Sequence, residues 1–257
     1  MLKNDKLHFD KSARTYDSHS TVQKDVANEL ISICPEKSFS KILEIGSGTG
    51  HLSRQLIDRN PDSEFTFLDS SVSMLELLKS AIPSNVSAEY CIKSEDVFCK
   101  QIFDLCISSS TFQWIRDLDL YFKNIYHTLN ANSYFCFSMF VEGTLLELHS
   151  IRNKVAPDIV PQHSMKNVEF VINVLEKLNF NIEFSNLSVH KIYYPDFKTL
   201  INSLKASGVL GGHLSQGKRL LTRGELKEIE KQSEARYREE QGLPVSYKAL
   251  LVRGRKL

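Results

Sequence analysis

The residues best placed to do chemistry lie in Ile42-Leu43-Glu44-Ile45-Gly46-Ser47-Gly48-Thr49-Gly50-His51-Leu52, where an apolar run enters three glycines and leaves into an amphipathic stretch. Glycine has no Cβ, so the backbone can turn sharply there and approach a ligand closely. A helix starting just after the loop offers unpaired N–H groups. The spacing is G-x-G-x-G; the dinucleotide fingerprint G-x-G-x-x-G needs a glycine where this chain has His51. Nineteen residues after Gly50, the run Phe65-Thr66-Phe67-Leu68 ends in Asp69. A carboxylate there can accept both hydroxyls of a ribose, whereas its purely structural use would be a helix cap. Run, glycine loop, helix, run and acid in this order point to a nucleoside-bearing ligand.

The elements that must position these residues alternate. Short apolar runs over 41–45, 64–68, 87–92, 103–108 and 134–141 read as buried strands, and amphipathic stretches over 51–59, 72–81 and 118–129 separate them as helices. Continuous apolar strands alternating with helices are the mark of a parallel sheet covered on both faces. Ahead of them the first forty residues are helical in pattern, with Val22, Val26, Leu30 and Ile33 on one face and Pro35 as the stop. Behind them come two helical patterns, the run 180–194, helical stretches over 196–208 and 222–241, and a last alternating run from Pro244.

Composition excludes several classes. Of 257 residues, 32 are basic and 31 acidic, a net charge of +1 that speaks against a strongly basic nucleic-acid binder. The balance is uneven: residues 218–257 carry +5 and residues 1–217 carry −4, which as a bland feature is a helix with a solvated charged face. No apolar run nears the ~20 residues that span a bilayer, and the start Met1-Leu2-Lys3-Asn4-Asp5-Lys6 is charged, so neither a membrane segment nor a signal peptide is expected. The five cysteines have no C-x-x-C spacing and the eight histidines no H-x-H or H-E-x-x-H pattern, so we expect free buried thiols in a cytoplasmic protein and no metal.

The chain resembles class I, Rossmann-like S-adenosylmethionine-dependent methyltransferases. The resemblance covers about residues 9–141, through Phe9-x-x-x-Ala13-x-x-Tyr16-Asp17, Gln23, the Glu44–Gly50 loop, Asp69-Ser70-Ser71-x-x-Met74-Leu75, and Phe103-Asp104-Leu105-x-x-Ser108 continuing to Phe112-Gln113-Trp114. A narrower similarity, to the malonyl-acyl-carrier-protein O-methyltransferases of biotin synthesis, rests on Phe140-x-x-Gly143-Thr144-Leu145-x-Glu147-Leu148, Leu204-Lys205-x-x-Gly208-Val209, Leu221-Thr222-Arg223 and Pro244-Val245-Ser246-Tyr247. It implies an α/β fold with a seven-stranded, mostly parallel sheet, N-terminal helices and a helical insertion before the last strand. One domain over 1–257 would comprise a helical lid (1–35), a cofactor-binding core (41–141), substrate-side elements with the insertion (142–243) and the last strand (244–256).

The same resemblance places S-adenosylmethionine against Tyr16, Glu44, Gly46, Ser47, Gly48, Gly50, Asp69, Ser70, Met74, Ser94, Glu95 and Ser108. Two positions depart from the pattern. Lys93 stands where such proteins carry an acid near the adenine, leaving Glu95 or backbone groups for that contact, and Asn130-Ala131-Asn132-Ser133 replaces a Pro-Gly-Gly turn. A carboxylate acceptor is ionised at neutral pH and needs no general base, which suits a sequence without a triad or paired acids. Tyr16, His19, Gln113 and Trp114 are the candidates for positioning it, each with a structural alternative as core or surface residue. Acyl carrier protein with a malonyl-phosphopantetheine arm is the implied partner, and Lys218, Arg219, Arg223 and Lys227 are its candidate contacts. The competing readings are a methyltransferase for a small soluble acid, a nucleic-acid-modifying methyltransferase, and a non-catalytic cofactor binder. The third is disfavoured by the intact loop and Asp69, and the second by the near-neutral charge and the lack of an Asn-Pro-Pro-Tyr-like motif.

Overall fold

The computed structural model describes residues 3–92, 101–159, 164–209 and 219–257. The predicted N-terminal helix divides at Ser20 into α1 (Lys3–His19) and α2 (Thr21–Ile33). The alternating core follows as β1 (Lys41–Ile45), α3 (His51–Arg59), β2 (Glu64–Asp69), α4 (Val72–Ala81), β3 (Ala88–Ile92), β4 (Phe103–Ser109), a single 3-10 turn at Phe112–Trp114, α5 (Leu118–His127) and β5 (Leu129–Phe140). The remainder comprises α6 (Leu146–Val155), α7 (Val168–Lys177), β6 (Phe180–Tyr194), α8 (Phe197–Ala206), α9 (Arg223–Tyr237) and β7 (Leu243–Lys256).

The seven strands form one sheet in the order β3-β2-β1-β4-β5-β7-β6. β1 to β5 pair in parallel, and β7 runs antiparallel to both β5 and β6. Successive strand residues face opposite sides of a sheet, so Ile42 packs on one core with Leu30, Leu56 and Phe67, and Leu43 on the other with Phe112, Phe122 and Phe137. Covering both faces is why the strands are continuously apolar rather than alternating.

The Asn130–Ser133 stretch is not a separate turn before β5. The pairing of β4 with β5 slips there, from Phe103 opposite Leu129 to Leu105 opposite Tyr134. Asn132 takes the left-handed conformation, φ 63°, which asparagine tolerates. Strand order reverses between β1 and β4, and the carboxyl edge at such a point is where open α/β sheets hold ligands. The glycine loop leaves β1 there, Asp69 ends β2 there, and Ser109 ends β4 there. Above this edge α8 packs on α1 and α9 on α6, so helices from both ends of the chain enclose the same space.

Candidate functional site

The glycine loop is held by the neighbouring strand. Gly46 and Ser47 donate backbone N–H groups to the Leu68 carbonyl at 2.7 and 3.2 Å. All three loop glycines have positive φ, 71°, 52° and 88°. A Cβ on Gly46 would fall 1.9 Å from Thr111 Oγ1, and one on Gly50 would fall 2.3 Å from Leu78 Cδ1. Gly48 differs, because a Cβ there would meet nothing within 4 Å. Its neighbours do not demand glycine; its backbone conformation and the open space in front of it do.

Asp69 organises that space. Gly48 N–H donates to its Oδ2 at 2.9 Å and Ser71 N–H to its Oδ1 at 2.8 Å. Burial pushes the Asp69 carboxyl above its usual range, partly offset by these backbone donors. With about four acceptor sites on a carboxylate and part of them taken by these backbone donors, Asp69 keeps acceptor capacity toward the cleft for a ligand hydroxyl. The cleft in front of it is lined by Gly46, Gly48, Ser70, Met74, Ser110 and Trp114, among others. Glu44, only 2% exposed, borders the adjoining hollow with Ser47 and Gly48. Burial drives its carboxyl up to about 8, opposed by the Ser53 hydroxyl and Arg54. Its Oε2, together with the Ser47 and Ser110 hydroxyls, has no hydrogen-bond partner among the described residues. Such orphaned buried polar atoms are rare unless a ligand or water satisfies them.

Helix α1 is tied across this cleft by two carboxylates. Asp10 Oδ1 accepts from Ser71 Oγ at 2.5 Å and from Ser73 N–H at 3.3 Å, at the start of α4 where the helix dipole favours an anion. Asp17 Oδ1 accepts from Thr49 Oγ1 at 2.6 Å. The ties leave Tyr16 half-buried over the loop, its phenol pushed up by burial and then by Asp69 and Asp17.

Tyr16 and Ser110 line the cleft, the hollow beside Glu44 and a larger cavity of about 390 Å³ beyond them. The larger cavity is walled mainly by apolar side chains of α1, α6, α8 and α9, and no aspartate or glutamate lines it among the described residues. Ser110, which sequence reasoning passed over, follows β4 with φ 54°, a conformation uncommon for serine and concentrated at functional sites.

The other predicted residues divide. Trp114 separates cleft from cavity, 5% exposed and edge-on to Phe9 at 5.4 Å. Gln113 lies in the cavity wall, but its amide is used by the backbone: Nε2 donates to the Ser110 carbonyl at 2.6 Å, and Oε1 accepts from Phe140 N–H at 3.3 Å. Ser108 is not brought to the cleft. Its side chain is fully buried and donates to the Ile45 carbonyl at 2.8 Å, because it points into the sheet's packed interior. His19 is exposed at the end of α1 and lines none of these three cavities. Ser94, Glu95 and Lys218 lie outside the described residues, as does Lys93. Arg219 is not a free surface cation: it is bound to Asp158 at 2.7 and 2.9 Å and to Glu225 at 2.6 and 2.9 Å. Arg223 and Lys227 are exposed four residues apart on α9.

Comparison with known proteins finds likeness to methyltransferases. Residues 43–135 match a family model described as a methyltransferase domain. Over 262 residues the chain is 28% identical to a protein of Acetivibrio thermocellus named malonyl-[acyl-carrier protein] O-methyltransferase, with 97% of this chain and 92% of that relative covered. An S-adenosylmethionine-dependent methyltransferase of Mesorhizobium loti has the same fold, with a TM-score of 0.53, 19% identity, and 89% and 96% of the two chains covered. The [4+2]-cyclase SpnF shares it too, at a TM-score of 0.58 and 10% identity over 91% and 80% of the chains. The fold is that of the class I methyltransferases, and the cyclase is a reminder that the reaction has to be argued from the site.

Proposed function

We propose that this chain methylates the free carboxylate of a malonyl group carried by acyl carrier protein, with S-adenosylmethionine as methyl donor, giving the ester that starts a pimeloyl chain for biotin. The observation that carries this reading is the larger cavity. It is apolar, meets the nucleoside cleft at Tyr16 and Ser110, and is lined by cations but by no carboxylate among the described residues. A wall without acids suits an anionic acceptor. Kinship over nearly the full length with the Acetivibrio thermocellus protein supports malonyl-carrier protein as that acceptor.

The residues present fit the donor. The open space at Gly48 admits a nucleoside, Asp69 has acceptor capacity left for ribose hydroxyls, and the unpartnered Glu44 Oε2 would take an ammonium. Once bound, the donor would supply an electrophilic methyl group to a carboxylate oxygen, with the neutral thioether S-adenosylhomocysteine as leaving group: a C–O bond would form as the C–S bond breaks. The chain's own part is alignment and exclusion of water. Trp114 and Phe9 form a dry partition, and α1 covers the cleft. A general base is unnecessary, and His149 in the cavity is held low, at about 4, by burial and by Arg152, so it stays neutral. Of the predicted contacts, Arg223 and Lys227 are exposed on α9 and would meet an acidic carrier protein.

The test is mass spectrometry of malonyl-carrier protein after incubation with enzyme and S-adenosylmethionine. The expected result is a gain of one methyl group, removed by an esterase. Methylation of a small soluble acid with none on the carrier protein would overturn the acceptor assignment.

A further inference from the structure

Tyr16, Gln113 and Trp114 bring no positive charge to the acceptor cavity, and three described cations border it. Lys205 is exposed, and Arg219 is neutralised by Asp158 and Glu225. Arg152 differs from both. It is 7% exposed and has no carboxylate partner among the described residues. Among the described residues its side chain donates from Nη2 to Asn153 Oδ1 at 3.0 Å, and its Nε is buried without an acceptor. A buried cation with an idle donor is costly, and the cost is relieved when an anion arrives beside it.

The position suits such an anion. Helix α6 starts six residues after β5 ends, at the sheet edge that bears the glycine loop. His149 and Arg152 are three residues apart, hence on one helix face, and both line the cavity. Both side chains face that cavity, and the Arg152 charge acts on the His149 imidazole. We propose that Arg152 grips the acceptor's free carboxylate, with His149 beside it, so that the cavity selects an acyl group ending in a carboxylate over one ending in a methyl group. A two-pronged guanidinium contact occupies one lone-pair site on each carboxylate oxygen and leaves the others open for attack. The inference rests on the carboxyl-methylation reading and adds to it the residue that enforces the choice.

The test compares the wild-type protein with Arg152→Met and Arg152→Lys. Methyl transfer to a malonyl thioester is followed, with the matching acetyl thioester as inhibitor, and S-adenosylmethionine binding is measured without acceptor. Arg152→Met is expected to raise KM for the malonyl thioester by about 30-fold or more, the scale of truncating a buried charge pair, and to abolish the preference for malonyl over acetyl. Arg152→Lys should recover part of both, and cofactor affinity should hold within about twofold across all three proteins. Because Arg152→Met removes a buried unpaired charge, its melting temperature should equal or exceed that of the wild type, whereas loss of a structural arginine would lower it. An active wild type whose Met variant keeps its KM and its malonyl preference overturns the assignment while leaving the proposed function intact. A wild type inactive on malonyl thioesters that methylates another carboxylic acid with an Arg152-dependent KM sinks the malonyl reading and upholds the assignment. Failure to methylate any carboxylic acid overturns both.

Discussion

Replacing Glu44 by glutamine should change how cofactor binding depends on pH. Burial raises the Glu44 carboxyl from 4.5 to about 8, so the free protein holds a proton there at pH 7. Binding an ammonium beside its unpartnered Oε2 requires the carboxylate, and removing that proton at pH 7 costs about 1.4 kcal/mol, one unit of difference. Affinity for S-adenosylhomocysteine should therefore climb roughly tenfold per pH unit below 8 and level off above it, with about one proton released on binding at pH 6–7. The stability of the free protein runs the other way. The folded-state value is the raised one, so the contribution is complete below 4.5 and is lost as pH rises through about 8; the full shift would be worth roughly 5 kcal/mol as an upper bound. Glu44→Gln should thus bind with a flat pH profile and, when free, melt higher than wild type at pH 8 and above. Calorimetry in buffers of different ionisation enthalpy measures both affinity and proton release. A wild-type affinity that is flat from pH 6 to 8 with no proton release, or a glutamine variant that keeps the slope, refutes the assignment of Glu44 to the ammonium.

Gly48→Ala should leave the melting temperature within a few degrees, for a strain of about 1 kcal/mol, while weakening cofactor binding, since its Cβ enters open space; Gly46→Ala should destabilise the protein far more, because its Cβ would collide with Thr111. Calorimetry and thermal melts on the pair separate ligand space from packing. We predict that residues 1–20 act as a lid, so trypsin should cut at Lys11 or Arg14 in the free protein and more slowly with cofactor bound; equal rates in both states would argue against it. Reversing Arg223 and Lys227 to glutamate should raise KM for malonyl-carrier protein in a salt-dependent way and spare a small malonyl thioester, because exposed charges steer encounter within a screening length of about 8–10 Å; an unchanged KM and salt dependence would return α9 to a plain solvated helix.

The short-range features of this protein were legible from the chain itself. A strand buried on both faces is mostly apolar, so β1 and β2 could be bounded almost to the residue, and the glycine loop could be read because positive φ and close approach require glycine where they occur. The order of strand, loop, helix, strand and acid carried the proposed nucleoside site for the same reason: each of its parts is specified within a few residues. What depended on distant partners was decided by tertiary structure alone. Ser108 and Ser110 look interchangeable in sequence, yet one bonds to Ile45, 63 residues away, while the other turns into the cleft. That His149 rather than His19 lines the larger cavity was equally invisible, since the wall combines helices from opposite ends of the chain. The charge at position 219 read as free and is taken up by Asp158, 61 residues upstream. Arg152, an ordinary residue on an amphipathic stretch, becomes a buried cation facing a cavity that no described carboxylate lines only when α1, α8 and α9 enclose it with α6. Backbone preference is set by a residue's neighbours in sequence, but burial, pairing and the free energy of a charge are set by what the fold packs beside it.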